Sequence, residues 1–311
     1  MIEISPWHWA GFILCVVFFL SLDLGVFHRS AHVVKFKEAL VWTGIWFALA
    51  MLFGLAITPA IVRNWELRQT VEFITGYVIE LSLSMDNIFV IAIIFAHFHV
   101  PERYQHRLLF WGILGALIMR GLMIWLGVEL IQKFDWVLMA LGAFLVFSGL
   151  KMVFTRDKES DPEKNIAVRL TRKLFPVTTE FDGQNFLTKL NGATALTPLA
   201  LVLVLVETTD LIFALDSIPA IFAVTTDPFI VFTSNVFAIL GLRSLYFVLA
   251  GAIRYFVHLK IGLSVVLVFI GVKMVGAKYF HIPTPLSLVV VVAIIAASIL
   301  ASVVSARRER K

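Results

Sequence analysis

Charged residues are scarce in this sequence. Asp, Glu, Lys and Arg make up 15% of the 311 residues, whereas 60% are hydrophobic and the mean hydropathy is +0.92. Water-soluble globular domains carry about 25% charged residues, so the composition excludes that class. Long apolar runs instead predict an all-α polytopic membrane protein.

Cysteine is also nearly absent, and so are the motifs of nucleotide-driven chemistry. The single cysteine, Cys15, lies in the first apolar run, which excludes an intrachain disulfide or a thiolate metal cluster. The sequence has no nucleotide-binding motif and no nucleophile pattern, so we expect neither an organic cofactor nor an enzyme. The net charge of +5 lies in short loops and at the C-terminal tail, so we expect no nucleic-acid partner.

Nine apolar runs are long enough to cross a bilayer. They lie near residues 8–27, 39–61, 71–96, 108–130, 134–154, 198–224, 229–253, 259–279 and 285–306. Lys and Arg concentrate in alternate loops and in the tail, which predicts an outside N-terminus and a cytoplasmic C-terminus. We interpret residues 1–311 as a single membrane transport domain.

The longest stretch between apolar runs is 156–197. Its sequence AVRLTRKLF is basic and amphipathic, which is typical of a segment on the inner leaflet. Asn191 and Gly192 separate two short runs and predict a β-hairpin turn. We therefore expect a cytoplasmic linker that contains a small β-hairpin and contacts membrane lipid.

Acidic residues inside the apolar runs are the informative feature. A carboxylate at that depth costs at least about 2.5 to 3.5 kcal/mol, so each one predicts a functional site. The third and sixth runs carry these polar residues: Glu80, Asp86, Asn87, Glu207, Asp210 and Asp216. Asp23 lies near the inner end of the first run, where it either belongs to the same path or reaches the interface.

The two acidic runs belong to an internal repeat. A shift of 130 residues places Glu80 on Asp210 and Asp86 on Asp216, and Arg120 matches Arg243 further along. The repeats span 71–155 and 198–279, and the loop charges predict that they are inverted. In transporters built this way the binding site lies near the middle of the membrane, between the two halves.

The negative charge of these acids could be neutralised in three ways: by the arginines Arg120 and Arg243, by a bound cation, or by protons. Two arginines cannot neutralise five carboxylates, which favours a cation site. The alternative is a buried ion-pair network that fixes helix packing. Pro219 removes a backbone hydrogen bond and is expected to kink or unwind its helix, which would free carbonyl oxygens for an ion. Carboxylate, amide and carbonyl oxygens suit Mg²⁺, Ca²⁺ or Mn²⁺.

Three stretches of the sequence resemble one family. They are ELSLSMDN from Glu80, ETTDLIFALDSIPAIFAVTTDPFIVFTSNVFAILGLRSLYF from Glu207, and the weaker SLDLGVF from Ser21. The sequence resembles the TerC family, the tellurium-resistance type of integral membrane protein, which is grouped with lysine-exporter-like transporters.

The resemblance implies a multi-pass protein of the bacterial inner membrane. It also implies Mn²⁺ export for some members and a link to tellurite resistance for others. The family's polar positions fall here on Glu80, Asp86, Asn87, Glu207, Asp210 and Asp216, with Ser217 beside the last.

Two functional hypotheses follow. The first is a secondary transporter that exports Mn²⁺ as its substrate and uses protons or the membrane potential as the driving force. The second is a membrane scaffold that recruits stress-resistance proteins through 156–197 and transports nothing. The oligomeric state stays open.

Overall fold

The computed structural model describes residues 3–22, 34–134, 136–154, 165–190, 192–250, 258–280 and 282–308. Helices dominate this part of the chain. In chain order the elements are α1 (Pro6–Leu22), α2 (Phe36–Leu52), a π-helical segment (Phe53–Ile57), α3 (Thr58–Ile61), α4 (Leu67–His97), α5 (Glu102–Lys133), α6 (Trp136–Phe154), α7 (Ile166–Leu174), β1 (Leu187–Leu190), β2 (Ala193–Leu196), α8 (Pro198–Phe222), α9 (Pro228–Ala250), α10 (Leu259–Gly276) and α11 (Thr284–Arg308).

The helices confirm an all-α polytopic membrane protein. In the described ranges, eight helical stretches are long and apolar enough to cross a membrane, the first being Phe36–Ile61, which joins α2, the π-helical segment and α3. The shorter α1 is apolar and corresponds to the first of the nine predicted spans. Asp23 lies outside the described residues. The predicted orientation stays a prediction.

Local sequence signals explain where α4 begins and ends. Glu66 and Gln69 form a capping box, in which each side chain accepts a hydrogen bond from the backbone N–H of the other position. The helix ends at His97, and His99 adopts a left-handed backbone with φ of 51° before Pro101 precedes α5. α4 is therefore longer than the predicted run 71–96 at both ends.

Pro219 does not unwind α8. The helix continues to Phe222, and the backbone N–H of Ala223 donates to the Pro219 carbonyl at 3.2 Å. Pro219 lies near the end of α8. Its missing N–H and its ring therefore affect only the hydrogen bond to the carbonyl one turn earlier. The expectation that α8 unwinds at Pro219 is therefore wrong, although Pro219 supplies no N–H to the Leu215 carbonyl.

The predicted β-hairpin is confirmed. β1 and β2 pair antiparallel, with Leu187 opposite Leu196 and Leu190 opposite Ala193. Gly192 adopts φ of 82°, a left-handed conformation that glycine takes without a steric penalty, and Asn191 lies outside the described residues. The hairpin directly precedes α8, because β2 ends at Leu196 and the next residue, Thr197, is the N-cap of α8.

The long helices pack into one bundle around α4, α8 and α9. α9 is the most enclosed, and it contacts α2, α4 and α5, while α8 packs against both α4 and α5. The closest pair is α6 with α10, where Ser264 donates a hydrogen bond to the Gly149 carbonyl at 2.6 Å. This packing brings the third and sixth apolar runs of the sequence into direct contact.

Candidate functional site

Arg120 lies at the centre of the bundle. It projects from α5 with 2% of its surface exposed and meets a carboxylate from each of two neighbouring helices. Its Nη1 donates to Glu80 of α4, and its Nη2 and Nε donate to the two oxygens of Asp210 of α8, at 3.0 and 3.3 Å. The planar guanidinium therefore joins three helices in one ion-paired contact.

Two further polar side chains complete the contacts of this guanidinium. Nη1 lies 3.2 Å from the hydroxyl of Ser217 on α8 and 3.2 Å from Oδ1 of Asn235 on α9. Asn235 also donates from Nδ2 to the Val231 carbonyl at 3.0 Å, which orients its oxygen toward Arg120. A fourth helix is thus tied to the same group.

The carboxylates have hydrogen-bond donors besides Arg120. Asn87 donates from Nδ2 to Asp210 at 2.7 Å, across the contact between α4 and α8. Ser84 donates to Glu80 at 3.2 Å within α4. We call these residues the Arg120 network, and its members are Glu80, Ser84, Asn87, Arg120, Asp210, Ser217 and Asn235.

The Arg120 network has one carboxylate more than it has cations. Both carboxylates and the guanidinium are buried, with Glu80 at 0% and Asp210 at 4% exposure. Among the described residues, Oε2 of Glu80 and Oδ1 of Asn87 are buried without a hydrogen-bond partner. Buried acceptors without a donor favour the uptake of a proton or a cation.

Three other predicted acids lie outside this network. Asp216 faces α6, where it accepts a hydrogen bond from Ser148 at 2.7 Å. Glu207 packs against α5 so closely that a Cβ on Gly115 would overlap its carboxylate, and its Oε2 is buried without a partner among the described residues. Asp86 is half-buried on α4.

The predicted metal ligands do not form one cluster. In the part of the chain that the structure describes, no three His, Cys, Asp or Glu side chains are grouped as a metal site. Arg120 instead occupies the space between Glu80 and Asp210, which is the buried ion-pair network that the sequence left as an alternative. The assignment of metal-binding roles stays a prediction.

Arg243, the repeat partner of Arg120, lies beside the same network. It is half-buried on α9 and lines a cavity of about 20 Å³ together with Asn87 and Asp210. A space of that size holds about one water molecule. The second supporting arginine is therefore adjacent to the acidic pair, on the side of Asp210.

Sequence reasoning missed Ser84 and Asn235 of the Arg120 network, and Ser148, the partner of Asp216. Each is a polar residue in a largely apolar helix, and each donates or accepts a hydrogen bond at a carboxylate or guanidinium. Because small polar residues are common in membrane helices, that signal alone does not separate them from ordinary packing residues.

Fold and site together define a multi-pass α-helical membrane protein with a buried charged network between its central helices. Residues 65–310 match the family described as Integral membrane protein TerC family. The chain belongs to the TerC family, as its acidic motifs indicated.

Relatives in several bacteria match nearly the whole chain. An uncharacterized membrane protein of Myxococcus xanthus is 52% identical over 305 residues, covering 97% of this chain and 94% of that protein. The Escherichia coli (strain K12) protein named "Putative membrane-bound redox modulator Alx" is 47% identical over 297 residues, covering 94% and 92%. A membrane protein of Rickettsia bellii is 40% identical over 296 residues, covering 95% and 97%. No solved structure matches the chain.

Proposed function

We propose that this protein is a secondary transporter of the bacterial inner membrane that exports a divalent metal ion, with Mn²⁺ as the first candidate. One observation carries the proposal: Glu80 and Asp210 face each other across a buried guanidinium between α4 and α8. Such a pair of carboxylates can bind either the guanidinium of Arg120 or a metal ion.

In this mechanism Arg120 is a tethered cation that the metal ion displaces. The acidic pair would exchange the guanidinium for Mn²⁺, so the two buried carboxylates would stay compensated, and the displaced guanidinium would keep its hydrogen bonds to Ser217 and Asn235. The oxygens of Asn87 and Ser217 lie beside the pair and match the ligand preference of Mn²⁺, Mg²⁺ and Ca²⁺. Neither an organic cofactor nor a catalytic step enters the mechanism.

Helix pairing supports alternating access. If α4, α5 and α6 correspond to α8, α9 and α10, a two-fold axis maps three observed pairs onto themselves: α4 with α8, α5 with α9, and α6 with α10. The same axis exchanges the pair α4 and α9 with the pair α5 and α8. Inverted repeats of this kind expose a midplane site to the two sides in turn.

Protons are the proposed counter-ion. Oε2 of Glu207 is buried without a hydrogen-bond partner among the described residues, so this carboxyl group can hold a proton where no cation is present. A carboxyl group that is protonated when no metal ion is bound, and that loses the proton when one binds, couples metal transport to proton transport.

Reconstitution in liposomes that contain a Mn²⁺-sensitive dye tests the proposal. The wild-type protein should carry Mn²⁺ across the membrane, and Glu80→Gln or Asp210→Asn should slow that flux by at least about tenfold. Glu129→Gln is the matched control, because Glu129 lies on α5 in an exposed pair with Lys133. An inert wild-type protein, or equal rates for Glu80→Gln and Glu129→Gln, would reject the proposal.

A scaffold remains the second candidate function, and the folded hairpin is the observation that favours it. Leu187 and Leu190 are exposed on β1, which offers a partner protein an apolar contact. A redox role like the one in the name of the Escherichia coli relative would act without an intrachain disulfide, since these 311 residues contain one cysteine. If the scaffold is the function, Leu187→Ser with Leu190→Ser should abolish metal tolerance while Asp210→Asn leaves it intact.

A further inference from the structure

A cleft of about 500 Å³ opens at one end of the bundle, away from the Arg120 network. It lies where α4 begins, α8 and α10 end, and α11 begins. Its walls are mainly apolar, with Leu138, Phe222, Met274 and Phe280 among them. Because four membrane helices start or stop here, the cleft lies at the boundary between the hydrocarbon core and the headgroups.

Two cations and one acid line this cleft. Arg68 is exposed and donates from Nε to the buried carboxylate of Glu72 at 2.9 Å. Among the described residues, nothing else accepts a hydrogen bond from Arg68. Lys273 of α10 interacts electrostatically with Glu72, but the described residues give it no direct ion pair. The lining therefore has two cationic side chains and one acidic side chain. Lys273 could bind an anionic group.

An apolar groove continues from the cleft along the contact between α6 and α10. The groove has a volume of about 460 Å³ and shares the side chain of Phe280 with the cleft. Its other walls are aliphatic: Ala143 and Val146 of α6, and Val272, Val275 and Gly276 of α10. Val146 lies ten residues after the first residue of α6, so the groove reaches about 15 Å from the helix end.

A basic cleft at the headgroup level that leads into an apolar groove fits one class of ligand. The ligand must carry an anionic group for Lys273 and Arg68 and a long apolar part for the groove. A soluble anion would leave the groove empty, and a neutral lipid would leave Lys273 without a direct ion pair among the described residues. A phospholipid satisfies both parts, and the bilayer supplies it at this level.

We propose that the cleft and the groove form a binding site for one phospholipid, with its phosphate held by Lys273 and Arg68 and an acyl chain in the groove along the contact of α6 with α10. Since α6 and α10 belong to different repeats, the bound lipid would lie across the contact between the two halves. The predicted orientation assigns the site to the outer leaflet. This proposal does not depend on which ion the protein transports.

Lipid retention tests the headgroup half of the site. The full-length protein would be purified from membranes that contain palmitoyl-oleoyl-phosphatidylglycerol and analysed by native mass spectrometry for bound lipid. Lys273→Gln should reduce the lipid retained by about fivefold, since one cation near a lipid phosphate is worth about that factor. Lys278→Gln is the matched control, because Lys278 is exposed two residues after α10 ends and does not line the cleft.

A second pair of variants tests the groove. Ala143→Phe should fill it and lower retention of the same lipid, whereas Ala48→Phe makes the same change on the exposed surface of α2 and should not. Two probes then distinguish the source of the anion. Palmitoyl-oleoyl-glycerol has the chains without the phosphate, and glycerol 3-phosphate has the phosphate without chains, so neither should compete.

Three results would overturn the proposal. They are equal retention by Lys273→Gln and Lys278→Gln, full retention by Ala143→Phe, and effective competition by glycerol 3-phosphate. The last result would identify a site for soluble anions instead of a lipid. Thermal unfolding of each variant shows that the protein is folded, so a loss of lipid is not mistaken for a loss of structure.

Discussion

At the residue scale, Arg120 neutralises part of the negative charge of Glu80 and Asp210 in the protein interior. The side chain is 2% exposed. Among the described residues, its guanidinium forms ion pairs with both Glu80 and Asp210. Removing one partner of a buried ion pair leaves the other charge without compensation, which is more costly than losing the pair as a whole.

Arg120→Ala should therefore lower the free energy of unfolding by about 3 to 5 kcal/mol. The intrinsic fluorescence of the tryptophans during heating in detergent measures this change. Lys133→Ala is the control, since Lys133 is in an exposed pair with Glu129 and should change stability by less than about 1 kcal/mol.

A rescue variant separates charge from packing at this position. Replacing Arg120 by Met together with Glu80→Gln and Asp210→Asn removes all three charges and should recover most of the stability lost in Arg120→Ala. A triple variant as unstable as Arg120→Ala would show that the shape of the guanidinium, and not its charge, holds the helices together.

At the element scale, the start of α9 depends on Asp227. Its Oδ1 accepts hydrogen bonds from the backbone N–H groups of Phe229 and Ile230, at 3.0 and 3.2 Å, and Pro228 opens the helix. Burial raises the pKa of the Asp227 carboxyl above its ordinary value, and the Glu72 carboxylate raises this pKa further, although the two backbone N–H groups lower it.

Asp227→Ala should cost about 1 kcal/mol of stability because α9 loses its N-cap. Asp227→Asn keeps an acceptor oxygen and removes the charge. Since a raised carboxyl pKa means that folding disfavours the charged form, the stability of the wild type falls as the pH rises through that pKa. Asp227→Asn should therefore be at least as stable as the wild type at pH 7, and unfolding at several pH values should show the difference vanishing in acid. A difference that grows in acid would contradict the assignment.

Element positions follow from the sequence because they depend on apolar length, capping residues and turns. The run 71–96 and the capping box at Glu66 are local signals, as is the turn that ends in Gly192. The continuity of α8 through Pro219 was not predicted, although the run 198–224 already placed the proline near the end of the helix. The close contact of α6 with α10 was not predictable either, since it depends on which faces of the two helices meet.

At the scale of the whole molecule, the orientation in the membrane is the next property to measure. The loop charges predict that β2 lies in the cytoplasm and that the loop between α8 and α9 lies outside. Thr194 and Thr226 are exposed on these two segments and make a matched pair for cysteine substitution in a Cys15→Ser background.

A membrane-impermeant maleimide should label Thr226→Cys in intact cells. It should label Thr194→Cys only after the membrane is permeabilised. The opposite pattern would invert the assignment of inner and outer sides, and with it the proposed direction of metal export. Labelling of both positions in denatured protein controls for the reactivity of the two thiols.

The sequence identified most of the charged residues of the site but not their pairing. Glu80, Asp210 and Arg120 are conspicuous because charge is costly inside an apolar run. Which carboxylate meets which cation depends on helix rotation, and a helix turns by about 100° per residue, so a small error in rotation changes the partner. Asp216 shows the effect, because it lies on α8 with Asp210 but faces Ser148 of α6.

The Arg120 network also imposes an order on biosynthesis. Glu80 and Arg120 are 40 residues apart, so both charges enter the membrane close together in time and can pair before α8 is inserted. Asp210 follows Arg120 by 90 residues and enters the membrane later, with α8. Until α8 packs, Glu80 and Arg120 form a neutral pair, and the network gains its net negative charge only when Asp210 arrives with α8.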